Sequence, residues 1–201
     1  MRMFPQKGFT LIELLVSLAV LMVLVGLGVP SFVSAMKNSK LNADYSQLVG
    51  SLYLARSEAV KRSSNVTVCA RATDTSCGDN WDNGWLVFSD NTANGSGSAG
   101  VIDTDDDIFN IVAPLEGRNV TSLATVSPNP SSASNSTTQI FVRYNPRGGN
   151  NWSGGTFTMC DDRGEESALA LHLVLTGDIR KGRSSTGGVM EDVHGLPVVC
   201  P

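Results

Sequence analysis

A chain of 201 residues with a formal charge of −4 has room for one domain of ordinary size plus a tail or anchor. Its acidity opposes nucleic-acid binding by the chain as a whole, so any such contact has to be local. Charged residues make up only 17%, while Gly, Ser, Thr and Asn are plentiful, which suits an exported, loop-rich β domain better than a cytosolic helical enzyme.

The first element is Lys7 to Pro30. From Phe9 to Val29 it is apolar apart from small hydroxyls and one carboxylate, Glu13. At about 1.5 Å per residue this run makes roughly 31 Å of helix, enough to cross a bilayer core. Arg2 and Lys7 precede it without any acid, so the C-terminal part is expected on the far side of the membrane. Losing those two cations with residues 1–8 would take the formal charge from −4 to −6. A charge inside a membrane-length segment costs roughly 2.5–3.5 kcal/mol, so Glu13 calls for a partner that neutralises it. Protonation at the membrane interface is the simpler alternative.

Pro30 lies inside the helical pattern and removes one backbone donor, which predicts a kink rather than a stop. Beyond it Phe32, Met36, Leu41, Tyr45, Leu48, Leu52, Ala55 and Ala59 recur at helical spacings, with Lys37, Lys40, Arg56, Glu58, Lys61 and Arg62 largely outside the stripe. The helix is expected to run to about Arg62 and break at Ser63-Ser64-Asn65.

From Val66 the pattern changes to short runs rich in β-branched and aromatic residues: Val66–Ala72, Trp85–Ser89, Ile108–Leu115, Gln139–Asn145, Gly155–Cys160 and Ala168–Leu175. Turn-formers separate them at Gly78-Asp79-Asn80, Asn94-Gly95, Pro128-Asn129-Pro130 and Gly148-Gly149-Asn150. This predicts one twisted, mainly antiparallel sheet whose apolar face takes the amphipathic half of the helix. The connections Asp90–Asp107 and Thr121–Thr138 are polar and expected to be mobile.

Cys69, Cys77, Cys160 and Cys200 all follow the apolar segment. An even number in an exported domain indicates two disulfides, with three pairings possible. The preferred pairing is Cys69–Cys77 and Cys160–Cys200, which chain-entropy arithmetic values at about 2.6 and about 3.9 kcal/mol. No short Cys-x-x-Cys spacing supports a metal site.

The junction Lys7-Gly8-Phe9 followed by Thr-Leu-Ile-Glu13 resembles the prepilin leader of type IV filament proteins. The resemblance implies that a prepilin peptidase cuts between Gly8 and Phe9 and that Phe9 is N-methylated. It also implies that Glu13 pairs with the terminal amine of a neighbouring subunit and that Pro30 kinks the helix. Further along, L-Y-L-A-R-S-E-A-V-K-R (Leu52–Arg62), V-T-V-C (Val66–Cys69) and G-W-L-V-F-S-D (Gly84–Asp90) are similar to the GspH/FimT family of type IV minor pilins and H-type pseudopilins of type II secretion. F-T-M-C-D-D-R (Phe157–Arg163), T-G-D-I-R and the terminal Cys-Pro are similar to FimT-type minor pilins in particular. The fold so implied is α+β and type IV pilin-like, a long N-terminal helix packed on a mainly antiparallel, disulfide-stapled β-sheet domain. The organisation expected is a cleaved leader (1–8), a transmembrane assembly helix (9–29), its amphipathic continuation (30–62) and a periplasmic domain (63–201) anchored in the bacterial inner membrane. The function implied is that of a structural minor pilin of a type IV pilus, joined to other pilins through the helix. An H-type pseudopilin of type II secretion is the alternative.

Some FimT-type pilins carry a G-R-x-R motif and bind DNA. Here Gly177 and Arg180 match it, but Asp178 replaces the first arginine. Arg180, Lys181 and Arg183 form a basic segment with glycines around it, which could contact double-stranded DNA through phosphates, without sequence preference. A solvated basic loop is the plainer reading. Asp103-Thr-Asp-Asp-Asp107 lacks the glycine and distal glutamate of a calcium loop and is expected to be an acidic turn. Trp81, Trp85 and Trp152 are expected to fill the sheet's apolar side. His172 and His194 lie near no plausible nucleophile, and no G-x-S-x-G elbow or phosphate loop is present, so neither catalysis nor a cofactor or metal is expected.

Overall fold

The structure is a computed structural model that describes residues 8–91, 98–115, 119–125, 141–150, 155–185, 187–193 and 195–200, with the backbone alone for 119–125. The leader cations Arg2 and Lys7, the Asn94-Gly95 and Pro128–Pro130 turns, Gln139, Trp152 and His194 lie outside the described residues. The chain divides into two compact units, 1–39 and 40–201.

One helix, α1 (Leu11–Arg62), contributes to both units and continues through Pro30. Within the first unit its side chains are exposed from Phe9 to Met36, and it is long and apolar enough to cross a membrane by length and composition. Phe32 and Met36, expected in the buried stripe, are 66% and 48% exposed and extend this apolar surface instead.

In the second unit the buried stripe of α1 is Leu41, Leu48, Leu52, Ala55 and Ala59, joined by the polar Asp44 and Ser51. Ser51 is buried because its hydroxyl accepts the Trp85 indole N–H at 2.9 Å, which satisfies both groups away from water. Lys61 and Arg62 stand in the last turn, where cations complement the helix C-terminus. Ser63, at φ 52°, then turns the chain out of the helix.

Among the described residues nine strands follow, and they form two antiparallel sheets rather than the single sheet expected. In the first, β1 (Val66–Thr73) is central. β3 (Trp85–Ser89) lies on one side of it and β4 (Ile108–Ile111) beyond β3. On the other side, β6 (Phe141–Tyr144) pairs with the first half of β1 and β2 (Ser76–Cys77) with the second. The second sheet runs β5 (Asn119–Thr125), β7 (Gly155–Cys160), β8 (Leu169–Leu173) and β9 (Ile179–Lys181). β5 and β9 occupy stretches expected to be loops.

Strand alternation explains how two sheets and a helix share one core. Val66, Val68 and Ala70 of β1, Trp85 and Val87 of β3, and Val142 and Tyr144 of β6 face the same apolar cluster as Phe157, Met159, Leu171 and Leu173 of the second sheet. Leu48, Leu52, Ala55 and Ala59 of the helix complete it. Trp81 meets Phe157 edge to face, with centroids 4.8 Å apart and planes at 78°. Each fully buried Leu or Phe contributes about 1.5–3 kcal/mol by leaving water. The opposite face of the first sheet buries Cys69, Leu86 and Phe88, and that of the second buries Cys160, Ala170 and Val198.

Cys69 bonds Cys77 and Cys160 bonds Cys200. The first bridge closes the β1–β2 turn. The second fixes the C-terminal segment, which crosses the outer face of the second sheet and is also held by Val193 N–H to Thr156 Oγ1 at 3.0 Å. The Asp90–Asp107 connection, expected to be mobile, is anchored at its base through Asp90. Buried Asp90 accepts from Thr67 Oγ1 at 2.6 Å, from the Gly100 amide at 2.9 Å and from Arg143 Nη2 at 2.9 Å.

Candidate functional site

Two regions carry the residues singled out from the sequence, one in each unit. In the first, Thr10 precedes the helix and its hydroxyl accepts the Glu13 N–H at 3.3 Å. Thr10-Leu-Ile-Glu13 is therefore the N-terminal signature S/T-x-x-E, with Glu13 at the third helical position, where a carboxylate faces the positive end of the helix. The T-x-x-E spacing is the sequence signal for this cap, and it coincides with the carboxylate inside the apolar segment. Ser17 donates to the Glu13 carbonyl at 2.6 Å, so the hydroxyls of this turn are satisfied within the helix. Glu13 shares its face with Ile12, Val16, Val20 and Leu24, an apolar surface interrupted by one carboxylate.

A side chain built at Gly8 would meet nothing within 4 Å, and Phe9 is 84% exposed. Among the described residues no packing requires glycine at position 8, so a requirement there would belong to whatever handles the peptide bond. Pro30 sits in the interior of α1.

In the second unit, the basic segment is a strand and its turn rather than a mobile loop. β9 pairs with β8 in the register Leu171–Lys181, His172–Arg180 and Leu173–Ile179. The turn before it is Thr176-Gly177-Asp178. Gly177 has φ 80°, and a Cβ there would lie 2.2 Å from the Gly148 carbonyl oxygen, so only glycine fits. Asp178 faces α1, where Arg56 Nη1 donates to its Oδ1 at 2.8 Å, while Thr176 Oγ1 donates to its Oδ2 at 3.0 Å. Arg56 also reaches the Thr176 carbonyl at 3.2 Å. The Arg56 hydrogen bond, then that of Thr176, holds the Asp178 carboxyl below its ordinary pKa. The acid that departs from the G-R-x-R pattern thus has a structural partner. Nearby, burial pushes the Tyr144 phenol well up.

Arg180, Lys181 and Arg183 are exposed, and among the described residues no ion pair joins them to a carboxylate. They line a cleft of about 300 Å³ with His172, Glu191 and Asp192, where the C-terminal segment passes the edge of β9. His172 is held by the Glu191 carbonyl, 2.8 Å from its Nε2, which makes it a tether for that segment.

The remaining candidates fall into place as structure. Trp81 and Trp85 are fully buried core residues. In the acidic turn, Asp106 accepts the Asn91 and Asp103 amides at 3.1 and 3.0 Å, and Asp107 pairs with Arg62 at 3.1 Å. Among the described residues no cluster of His, Cys, Asp and Glu has the arrangement of a metal site.

Over residues 45–178 the chain matches the family model described as type II transport protein GspH, and over residues 3–29 that of the prokaryotic N-terminal methylation motif. Its fold is similar to that of the type IV minor pilin FimU of Pseudomonas aeruginosa, with a TM-score of 0.51 at 14% identity, covering 73% of this chain and 91% of that one. It also matches the minor pseudopilin EpsH from the type 2 secretion system of Vibrio cholerae, with a TM-score of 0.43 at 12% identity, covering 71% of this chain and 95% of that one. No curated protein matches it.

Proposed function

We propose, for a chain that belongs to the GspH family and carries the prokaryotic N-terminal methylation motif, the role of a minor pilin in a type IV pilus. The role is structural rather than catalytic. The observation that carries it is the helix surface from Phe9 to Met36, apolar and exposed along its length, with Glu13 as its acid. Such a surface is stable in lipid or against other helices of the same kind, and a subunit that leaves the bilayer for a filament exchanges one for the other.

Processing between Gly8 and Phe9 by a prepilin peptidase and N-methylation of Phe9 would leave a cationic amine four residues before Glu13. A neighbour displaced along the filament brings amine and carboxylate together, and each then offsets the desolvation of the other. The β domain would lie in the periplasm before assembly, with the inner membrane holding the helix.

The bond from Cys160 to Cys200, together with the resemblance of Phe157–Arg163 to FimT-type minor pilins, supports the pilus over the secretion machine. The test is a deletion strain assayed for surface pili and for type II secretion together. Loss of pili with secretion intact is expected. Loss of secretion with normal piliation assigns the chain to the secretion machine as its H-type pseudopilin and overturns the reading.

A further inference from the structure

β9 is the outer strand of the second sheet. The bonds Val174 N–H to Asp178 C=O at 3.1 Å and Gly182 N–H to Ala170 C=O at 2.7 Å, with His172 opposite Arg180, show which residues of β9 bond inward. They are 178, 180 and 182. In an antiparallel ladder the alternate residues turn their backbone groups the other way, so the N–H and C=O of Ile179 and Lys181 point outward. Among the described residues no strand pairs with them.

Immediately beyond, the chain shows what this edge accepts. The Glu191 N–H donates to the Arg183 carbonyl at 2.8 Å, so an extended segment carrying Glu191 and Asp192 has already added itself at the end of the edge. The Asp192 carboxylate is used within its own turn, accepting the Leu196 N–H at 2.9 Å. The cleft therefore sets three cations, Arg180, Lys181 and Arg183, with no ion pair among the described residues, against the two carboxylates of Glu191 and Asp192, on a chain whose formal charge is −4. Within β9, Lys181 and Arg180 project to opposite faces of the strand.

We propose that the outer edge of β9 is a docking slot for an acidic extended segment of a partner protein. The segment adds as a further strand bonded to Ile179 and Lys181, with a carboxylate against Lys181, and it ends where Glu191 already occupies the place opposite Arg183. A second copy's β9 does not fit, because it sets cation against cation. The Asp103–Asp107 turn of a second copy is closed on itself through the Asp106 carboxylate. Duplex DNA satisfies the cations and its phosphates can accept from the outward N–H groups, but the phosphate backbone has no donor for the outward carbonyls of Ile179 and Lys181.

The experiment uses the full chain in lipid nanodiscs and, as probe, a short capped peptide of alternating Val and Glu. Three results are expected. Amide exchange at Ile179 and Lys181 slows on binding. N-methylation of the peptide's bonding edge weakens binding by about tenfold. A Val-Lys peptide does not bind. Lys181→Pro, which removes the outward N–H and one charge and also fixes φ, abolishes the peptide's binding, while Lys181→Ala merely weakens it. The N-methyl comparison uses the unaltered chain and holds even if the proline variant fails to fold. The proposal is overturned if no peptide binds, in which case the cations only guard an exposed edge against pairing. It is equally overturned if N-methylation makes no difference, or if a short DNA duplex binds and slows the same two amides as well as the peptide does.

Discussion

Arg56 and Asp178 lie 122 positions apart in the chain and meet at 2.8 Å, tying the helix to the turn that starts β9. The pair is half in solvent, with side-chain exposures of 30% and 51%, so its contribution to overall stability is small. Its larger effect is on the order of the turn. Asp178→Asn is expected to lower the melting temperature slightly and to speed amide exchange at 176–181, measured by hydrogen exchange.

The same pair has a pH signature. The Asp178 carboxyl titrates below its ordinary value of 3.8 in the folded chain because Arg56 and Thr176 hydrogen-bond its charged form. The unfolded state therefore takes up its proton first as pH falls, and the stabilisation, complete above pH ~4, is lost as pH drops through the folded value. Acid unfolding of the Asp178→Asn chain should show a shallower dependence below pH ~4 than the parent, followed by circular dichroism.

Asp90 and Arg143 form the opposite case, with side chains only 2% and 10% exposed. Removing one member leaves a buried charge without its partner, which costs about 3–5 kcal/mol. Arg143→Met is expected to show a loss of that size in urea titration. Combining it with Asp90→Asn should recover part of the loss, because no net charge then remains buried there.

These pairs also mark where the sequence was legible. Val66–Thr73, Trp85–Ser89 and Gly155–Cys160 are dense in β-branched or aromatic residues and could be placed from pattern alone. β9 has one apolar residue, Ile179, between charged neighbours, and its strand state comes from β8, a partner that local pattern does not encode. The division into two sheets likewise depends on pairing between distant segments. Asp44 and Ser51 interrupt the helix stripe in sequence, yet both are buried, and Ser51 is satisfied by Trp85. Asp178 looked like a damaged binding motif because Arg56 is invisible from its neighbourhood.

The C-terminal bridge should matter more than the β1–β2 bridge. Cys160–Cys200 closes a separation of 40 residues against 8 for Cys69–Cys77. Loop entropy alone makes their removal worth about 3.9 and about 2.6 kcal/mol. Replacing Cys160 and Cys200 with serine should also release the segment held by Thr156 and His172, seen as faster amide exchange over 189–200. An equal or smaller loss than for the Cys69 and Cys77 replacements would contradict this.

At the N-terminus, two substitutions separate local capping from contact between subunits. Thr10→Ala removes the hydroxyl that accepts the Glu13 N–H and costs the helix about 0.5–2 kcal/mol at its first turn. It leaves the carboxylate in place, so filaments should still form, at a reduced level. Glu13→Val keeps the hydroxyl cap and makes the segment more comfortable in lipid, so the anchored subunit should accumulate normally in the membrane. If the carboxylate meets a neighbour's amine, that amine then has no partner in the filament, and assembly should fall far more than with Thr10→Ala. Glu13→Gln, which keeps shape without charge, should behave like Glu13→Val. The measurement is the ratio of this chain in sheared filaments to that in membranes. Equal ratios for Glu13→Val and the parent would leave Glu13 as a helix cap and nothing more.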